Sequence, residues 1–356
     1  MARVAIVGAG IVGAVLAHRL AREGRHEITL IDAAMSAGQG VSGRSFGWLT
    51  QIAGRRAPSP EAAAVRAEGR AGYDVLNDAL DGKLFVSGEG AIAWQESEAE
   101  TAAMIAERRK LGIEVEALDA ADIARLAPHL AEVPPLAAHA PRDIFLRPGL
   151  AAARLAQDAG EHGASLLYGH SVLGIETANG RVTGLRTAET VLPAEVVVLA
   201  TGTGIARLLP GGVTAPEIGS SPSALITLYA EGPAPTLALS GPGLEIRKDR
   251  RADHFLVAAT WRPESERELD ALAAEKMAVA QRWFPGLRNW RIASAGIAAR
   301  PMPRTASGCL AEPAGGDRGA LPCLRAPRRR AGPCHRGADR GPTRLRPRRG
   351  AGGESG

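Results

Sequence analysis

The chain has 356 residues, 45% of them hydrophobic and 23% charged, with a formal net charge of +5; that length and apolar content can bury a real core in one large domain or two, which excludes a chain disordered throughout. The charge is unevenly spread, because Arg304 to Gly356 holds twelve Arg, no Lys and four acids, +8 in all, which leaves −3 on residues 1–303 and gives that part the surface of an ordinary soluble enzyme. All three cysteines (Cys309, Cys323, Cys334) lie in the same stretch and none of the eight histidines has the spacing of a ligand pair, so neither a disulfide framework nor a metal site is expected. The opening MARVAIVGAG has too short an apolar run for a secretory leader and nothing resembles a membrane span, so a cytoplasmic location is expected.

In chain order, Arg3 to Val7 (RVAIV) reads as a buried parallel strand, followed at once by Gly8-Ala9-Gly10-Ile11-Val12-Gly13 and a helical stretch that Gly24 ends. This is G-x-G-x-x-G in the context that gives it meaning. Gly8 permits the tight turn, Gly10 lets backbone approach a diphosphate, and Gly13 lets the helix lie close to the strand. The phosphates would sit at the helix N-terminus, where free N–H groups and the dipole favour negative charge. A second strand, Glu27 to Ile31, delivers Asp32 nineteen residues after Gly13, placed to accept hydrogen bonds from ribose hydroxyls and to repel a 2′-phosphate. The fingerprint alone leaves NAD and FAD open.

Further along, Leu84 to Trp94 reads as a strand, and Ser97 with Glu100 opens a helix that runs to Gly112 with the spacing of a capping box. Pro148 to Gly163 reads as a helix, and the alternating segment after it turns at Asn179-Gly180, a strong hairpin signal. Ala194 to Gly202 (AEVVVLATG) supplies another buried strand, and Ala224 to Ala258 reads as more strands. A helix, a meander and then VVLATG are not the second half of a nicotinamide-binding domain, which disfavours an NAD-linked dehydrogenase.

Taken together, the fingerprint, GVSGRSFGWLT (Gly40 to Thr50), RPGLAAARLAQDAGEHGA, the hairpin, VVVLATGTGIARLLP and GIAARPMP (Gly296 to Pro303) resemble the D-amino-acid oxidase and glycine oxidase family of FAD-dependent oxidoreductases, in its order and spacing, up to Pro303. The resemblance implies an α/β fold: a Rossmann-like FAD-binding domain, with a parallel sheet and helices on both faces, plus an inserted antiparallel-sheet substrate domain of α+β type. Residues 1–83, 148–215 and 296–303 would form the first, and 84–147 and 216–295 the second. It implies that Gly8, Gly10, Gly13 and Asp32 hold the ADP half of FAD and that the backbone of Val172, by itself an ordinary strand residue, reads the adenine. Ser42 would approach the phosphates, Gly47 and Trp48 would pass beside the flavin ring, and Gly202 would let the chain run close to the cofactor. Arg300, held extended by Pro301, would grip a substrate carboxylate as a bidentate fork. The implied reaction is oxidation of an amino acid or related amine by hydride transfer to flavin N5, with oxygen or another acceptor taking the electrons and no dedicated catalytic base. The family's substrate-binding tyrosines have no counterpart in GLEIRK, where Glu245, Arg247 and Lys248 read as a solvated strand edge.

From Arg304 onward there is no Val, Ile, Phe, Tyr, Trp or Met, so no strand or amphipathic helix can be written through 304–356. No aromatic residues interleave with its arginines, which speaks against a nucleic-acid-binding arm. The mixture is what GC-rich DNA gives out of frame. Slipping the codons of Ala320 to Arg336 by one base, with degenerate positions left free, permits LYLACAHRGVALAPAIG, which resembles the strand, His-x-Gly turn and helix start that the family carries there. A reading-frame slip soon after Pro303 is therefore expected, leaving a disordered or non-native tail and a chain inactive as written.

Overall fold

The structure is a computed structural model and describes residues 1–54, 57–84, 86–210, 218–259 and 265–303. The tail 304–356, and with it the expected frame slip, lies outside the described residues. The first part of the chain forms β1 (Arg3–Val7), α1 (Ile11–Glu23), β2 (Glu27–Asp32), β3 (Trp48–Leu49), α2 (Pro60–Ala79), β4 (Val86–Ala93) and α3 (Glu98–Lys110). Then come β5 (Glu116–Asp119), α4 (Ala120–Leu126), β6 (Leu136–Leu146), α5 (Pro148–Glu161) and β7 (Ser165–Tyr168). A meander of β8 (Gly174–Ala178), β9 (Arg181–Arg186) and β10 (Val191–Pro193) leads to β11 (Val196–Leu199) and the short α6 (Ile205–Leu208). The last elements are β12 (Ile218–Glu231), β13 (Ala238–Gly241), β14 (Leu244–Lys248), β15 (His254–Ala259), α7 (Glu266–Trp283) and β16 (Arg288–Pro303).

Four strands make a parallel sheet in the order β11-β1-β2-β7. Their apolar runs are those of strands covered on both faces. One face packs against α1, α5 and the end of α2: Val4, Ile6, Ile28 and Leu30 meet Ala14, Ala17, Ala151, Ala152, Leu155 and Leu76. Alanines bury little area, but they let the two long helices come close to the sheet and to each other. Between the helices Asp158 is buried, with His18 Nδ1 2.7 Å from its Oδ2 and Arg22 forking onto both oxygens at 2.8 and 2.9 Å. The Arg22 guanidinium above all holds the Asp158 carboxyl well below the usual range, down to about 2.

The other face departs from the expected helical layer. It carries Ala5, Val7 and Ile31 against Leu185 and Leu192 of the three-stranded antiparallel sheet β10-β9-β8 and Ala194 just after β10, with Leu208 of α6 beside them. At the hairpin tip Asn179 and Gly180 have φ of 51° and 72°, the type I′ turn that Asn-Gly favours. Val172 lies in the connection before β8 rather than in a strand, partly buried against this layer.

The remaining strands form one large sheet, β16-β12-β15-β14-β13-β4-β6-β3, with β5 beside β6. It is antiparallel except for the pair β13 and β4, which is parallel, so the sheet is mixed rather than purely antiparallel. Inward residues alternate to two faces. Ile226, Leu228, Ile246 and Val257 pack under α7 and α4, whereas Leu256, Ala258, Ala91 and Phe145 face α3 and the segment around Phe46 and Trp48. The α3 N-terminus has the expected capping box, Ser97 Oγ accepting from Glu100 N–H and Glu100 Oε2 from Ser97 N–H, each at 3.2 Å.

The stretch Gly296 to Pro303 is the end of β16, unbroken from Arg288 and paired along β12. One expectation fails in this sheet. The supposed solvated edge Glu245–Lys248 is β14, hydrogen-bonded on one side to β13 and on the other to β15, and Arg247 in it is 1% exposed. Both faces of the sheet are covered, so a charged residue opposite an apolar one need not face water. Among the described residues no helix is long and apolar enough to cross a membrane.

Candidate functional site

At the carboxyl end of β1 the chain turns over Gly8, which has φ of 105°. A Cβ there would lie 2.6 Å from Ala200 O, and one on Gly13 would lie 1.9 Å from Gly8 O, so both positions require glycine. The turn is fastened on three sides: Gly8 N–H to Ile31 O at 2.8 Å, Ala200 N–H to Val7 O at 2.8 Å, and Gly38 N–H to Ala9 O at 2.9 Å. Strand order changes direction here, with β2 on one side of β1 and β11 on the other, which opens a crevice beyond the strand ends.

Gly10 is the N-cap of α1 and contributes no side-chain cap; no acid sits in the first turn. Ser42, from a single 3-10 turn at Val41–Arg44, places its Oγ 3.0 Å from the Ile11 N–H, which donates to it. The helix dipole and the Ser42 hydroxyl therefore converge on one spot. Asp32 accepts from Ala9 N–H at 2.6 Å and from Ala34 N–H at 2.7 Å, one bond on each carboxylate oxygen, which leaves lone pairs on both for further donors. The Asp32 carboxylate thus also shapes the loop that sequence reasoning gave to the glycines alone. Thr201, at the end of β11, has a buried Oγ1 with no hydrogen-bond partner, although a buried hydroxyl is expected to have one. Its backbone nitrogen is 3.2 Å from where a Gly8 Cβ would be. A cradle that only glycine can line, a helix end lacking a negative charge and an orphaned buried hydroxyl fit a diphosphate-bearing cofactor.

From Ser42 the chain crosses to the large sheet. Gly47 has φ of 69° and a Cβ on it would lie 2.1 Å from Leu146 O, while Leu146 N–H donates to Gly47 O at 2.9 Å. Trp48 pairs in β3 with Phe145, and its indole N–H donates to buried Asp143 at 2.9 Å. The Trp48 ring is thus a core residue at 6% exposure, and only the backbone of Gly47 and Trp48 is left to line the crossing.

Arg300 is opposite Ser221 in the β16–β12 register, and its Nη2 donates to Ser221 Oγ at 3.0 Å. On the same face of the sheet lie Ser223, Leu225, Ala258, Ala298 and Gly296, mostly small. The strand β16 comes close to the cradle on both of its faces. Positions for a Cβ on Gly296 and on Gly202 lie 3.9 Å from Arg44 Cδ and from Pro301 Cγ. The structure therefore brings Gly8, Gly10, Gly13, Asp32 and Ser42 together at the strand ends, with Gly202 just beyond β11 and near Pro301, whose side chain points to the opposite sheet face from Arg300. Val172 is one element away, on the small-sheet side.

Sequence reasoning missed two buried cations on this side of the large sheet. Arg108 of α3 is fully buried and donates to Gly54 O at 2.6 Å; burial pushes its pKa down to about 10. Arg247 of β14 donates to the carbonyls of Phe46 and Leu146, and burial pushes it down to about 9. Both stay charged at neutral pH. The signal for Arg247 was its alternation with Leu244 and Ile246, which puts it inside once the sheet has two covered faces.

A glycine-lined diphosphate cradle at a strand-order switch, with a mixed sheet beside it, is the architecture of a dinucleotide-binding protein. The family model for FAD dependent oxidoreductase, DAO, matches residues 3–319, and the chain belongs to that family. FAD is its cofactor, which removes the NAD-linked alternative. Among solved structures the chain is similar to glycine oxidase from Bacillus cereus, at 20% identity and a TM-score of 0.72 over 85% of this chain and 84% of that one. It is also similar to L-amino acid deaminase from Proteus vulgaris (16%, 0.73, over 85% and 79%) and to L-proline dehydrogenase from P. horikoshii (18%, 0.71, over 90% and 86%). At these identities the likeness is one of fold.

Proposed function

We propose that this protein oxidises the CH–NH bond of an amino acid or closely related amine. The observation that carries the reading is the glycine cradle at the strand ends, together with Arg300, half-buried on a face of the large sheet that comes close to Arg44 in the turn of Ser42. Bound FAD supplies a two-electron acceptor able to take a hydride from carbon. Gly8, Gly10, Gly13, Asp32, Ser42 and Gly202 would hold it, with Val172 towards the adenine and the backbone of Gly47 and Trp48 towards the ring.

What the chain itself does is bind and orient. Arg300 offers a planar fork to a carboxylate, and the Ser221 hydroxyl limits the rotation of that fork. Ser223, Ala258 and Ala298, which share the face of Arg300, are small and buried. No His, Asp or Glu is needed to remove a proton if the amine arrives neutral, so rate should depend on the protonation state of the substrate. The electron acceptor, oxygen or another, is set by what reaches the reduced cofactor. The division into nucleotide and substrate domains at residues 1–83, 148–215 and 296–303 against 84–147 and 216–295 and a frame slip after Pro303 remain part of the proposal; resequencing the DNA across codons 295–340 tests the slip.

The test is to purify the full chain, titrate it with FAD, and follow bleaching of the bound flavin by a panel of amino acids without oxygen. Bleaching by an amino acid, lost in Arg300→Met with FAD affinity kept, is the expected result. FAD uptake with no response to any amine, or equal response in Arg300→Met, overturns the substrate assignment.

A further inference from the structure

Arg247 occupies a strand position that packing alone would give to an aliphatic residue. Its register partner Leu256 and nearby Ala258 show what that layer otherwise holds. Burying a guanidinium costs several kcal/mol unless its N–H groups find acceptors, and here three of those acceptors are backbone carbonyls. Nε donates to Phe46 O at 2.7 Å, Nη2 to Leu146 O at 2.8 Å and Nη1 to Lys248 O at 3.1 Å. The cation also lies 5.3 Å from the Phe46 ring centroid and 5.5 Å from that of Phe145, a contact that helps to compensate lost hydration.

The carbonyls of Phe46 and Leu146 flank one point. Leu146 hydrogen-bonds Gly47, and its oxygen occupies the space that a side chain at Gly47 would need. Gly47 is therefore held in its left-handed conformation from two sides, by strand β6 and by Arg247. The segment it belongs to begins at Ser42, on the helix end that faces the diphosphate, and runs to the sheet face that carries Arg300. On the flavoenzyme reading, that segment is the one along which the part of the cofactor beyond the diphosphate would lie. Two residues on, Asp249, 5% exposed, accepts from Arg147 Nη1 at 3.0 Å, so the same strand end also ties down the start of α5.

We propose that Arg247 is a positioning residue for the ring-bearing half of FAD, fixing the Phe46–Gly47–Trp48 turn against which that half is seated, and has little influence on the ADP half. The inference rests on the flavoenzyme reading above. It separates two parts of one site: the glycine loop reads the diphosphate and ribose, and a cation from a strand 200 residues away sets the floor of the ring.

The experiment compares full-length wild type, Arg247→Met and Arg247→Lys for affinity towards FAD and, separately, ADP, and follows amide exchange of residues 45–49 in the cofactor-free proteins. In Arg247→Met, FAD should bind about tenfold or more weakly while ADP stays within about twofold of wild type. Exchange at 45–49 should rise by a similar factor, and Arg247→Lys should recover part of the FAD affinity. Equal losses for FAD and ADP would mean a general structural role and overturn the proposal, as would unchanged FAD affinity or unchanged exchange. If the Met variant does not fold, the FAD-to-ADP ratio of the Lys variant decides in the same way. Wild-type protein that takes up ADP but never FAD overturns the flavoenzyme reading itself, and the inference with it; wild-type FAD binding alongside an indifferent variant overturns the inference alone.

Discussion

The cradle at the end of the parallel sheet and the face of the mixed sheet in front of it are assembled differently. Gly8, Gly10, Gly13, Asp32 and Ser42 fall within 35 residues, and each acts through backbone or through a hydrogen bond to backbone. Arg300 with Ser221, and Arg247 with Phe46, are pairs from distant stretches, each brought together only through strand register and packing. The first is a local device whose geometry tolerates almost no side chain. The second is the surface on which, in the function proposed above, side chains would choose the substrate. Conformation limits one, and composition can vary in the other.

That contrast can be broken most severely at Gly13→Ala. The added Cβ would fall 1.9 Å from Gly8 O, and a backbone oxygen in a fastened turn cannot move aside, so we expect a loss of about 4 kcal/mol or more and no FAD binding. Thermal melts and an FAD titration would show it; a variant that melts and binds like wild type would remove the close-packed cradle.

Next is Asp158→Ala, beneath the cradle between α1 and α5. Removing a buried partner of Arg22 and His18 should cost about 3 kcal/mol. The pH dependence has a definite sign. The Asp158 carboxyl is held low, to about 2, chiefly by Arg22, so its contribution is present above the ordinary carboxylate range and is lost as pH falls from there towards 2. Melting temperature should fall over that window in wild type and less steeply in Asp158→Asn.

Arg300→Met sharpens the comparison from the other side. It should lower kcat/KM for a carboxylate substrate by about a hundredfold while leaving the melting temperature and FAD affinity near wild type. The smallest expected effect is Ser97→Ala, which removes half of a capping box far from the cradle and should cost about 1 kcal/mol in a melt with FAD affinity unchanged. A cap variant that did change FAD affinity would show that the mixed sheet and the cradle are not separable in this way.

The cradle was legible because its residues are local. Strand, glycine turn, helix and acid follow one another, and the Asn-Gly hairpin and the Ser97 capping box are likewise short-range patterns. Arg247 was misread for a long-range reason: alternation with Ile246 shows only that two residues face opposite ways, and whether the second face meets water depends on α3 and the 46–54 segment, which arrive from elsewhere. Trp48 looked available to a cofactor until Asp143, 95 positions away, proved to hold its indole inward. The join at Gly296 was invisible for a related reason, since β16 runs through it and its length is set by β12.

The hairpin tip at Asn179–Gly180 has a practical value. Both residues are exposed, and an extra atom at Gly180 would meet nothing within 4 Å. The positive φ of both residues means that a side chain replacing Gly180 would strain the turn, so a fluorophore or affinity handle belongs there as an insertion that keeps Asn-Gly, where it would not crowd the molecule.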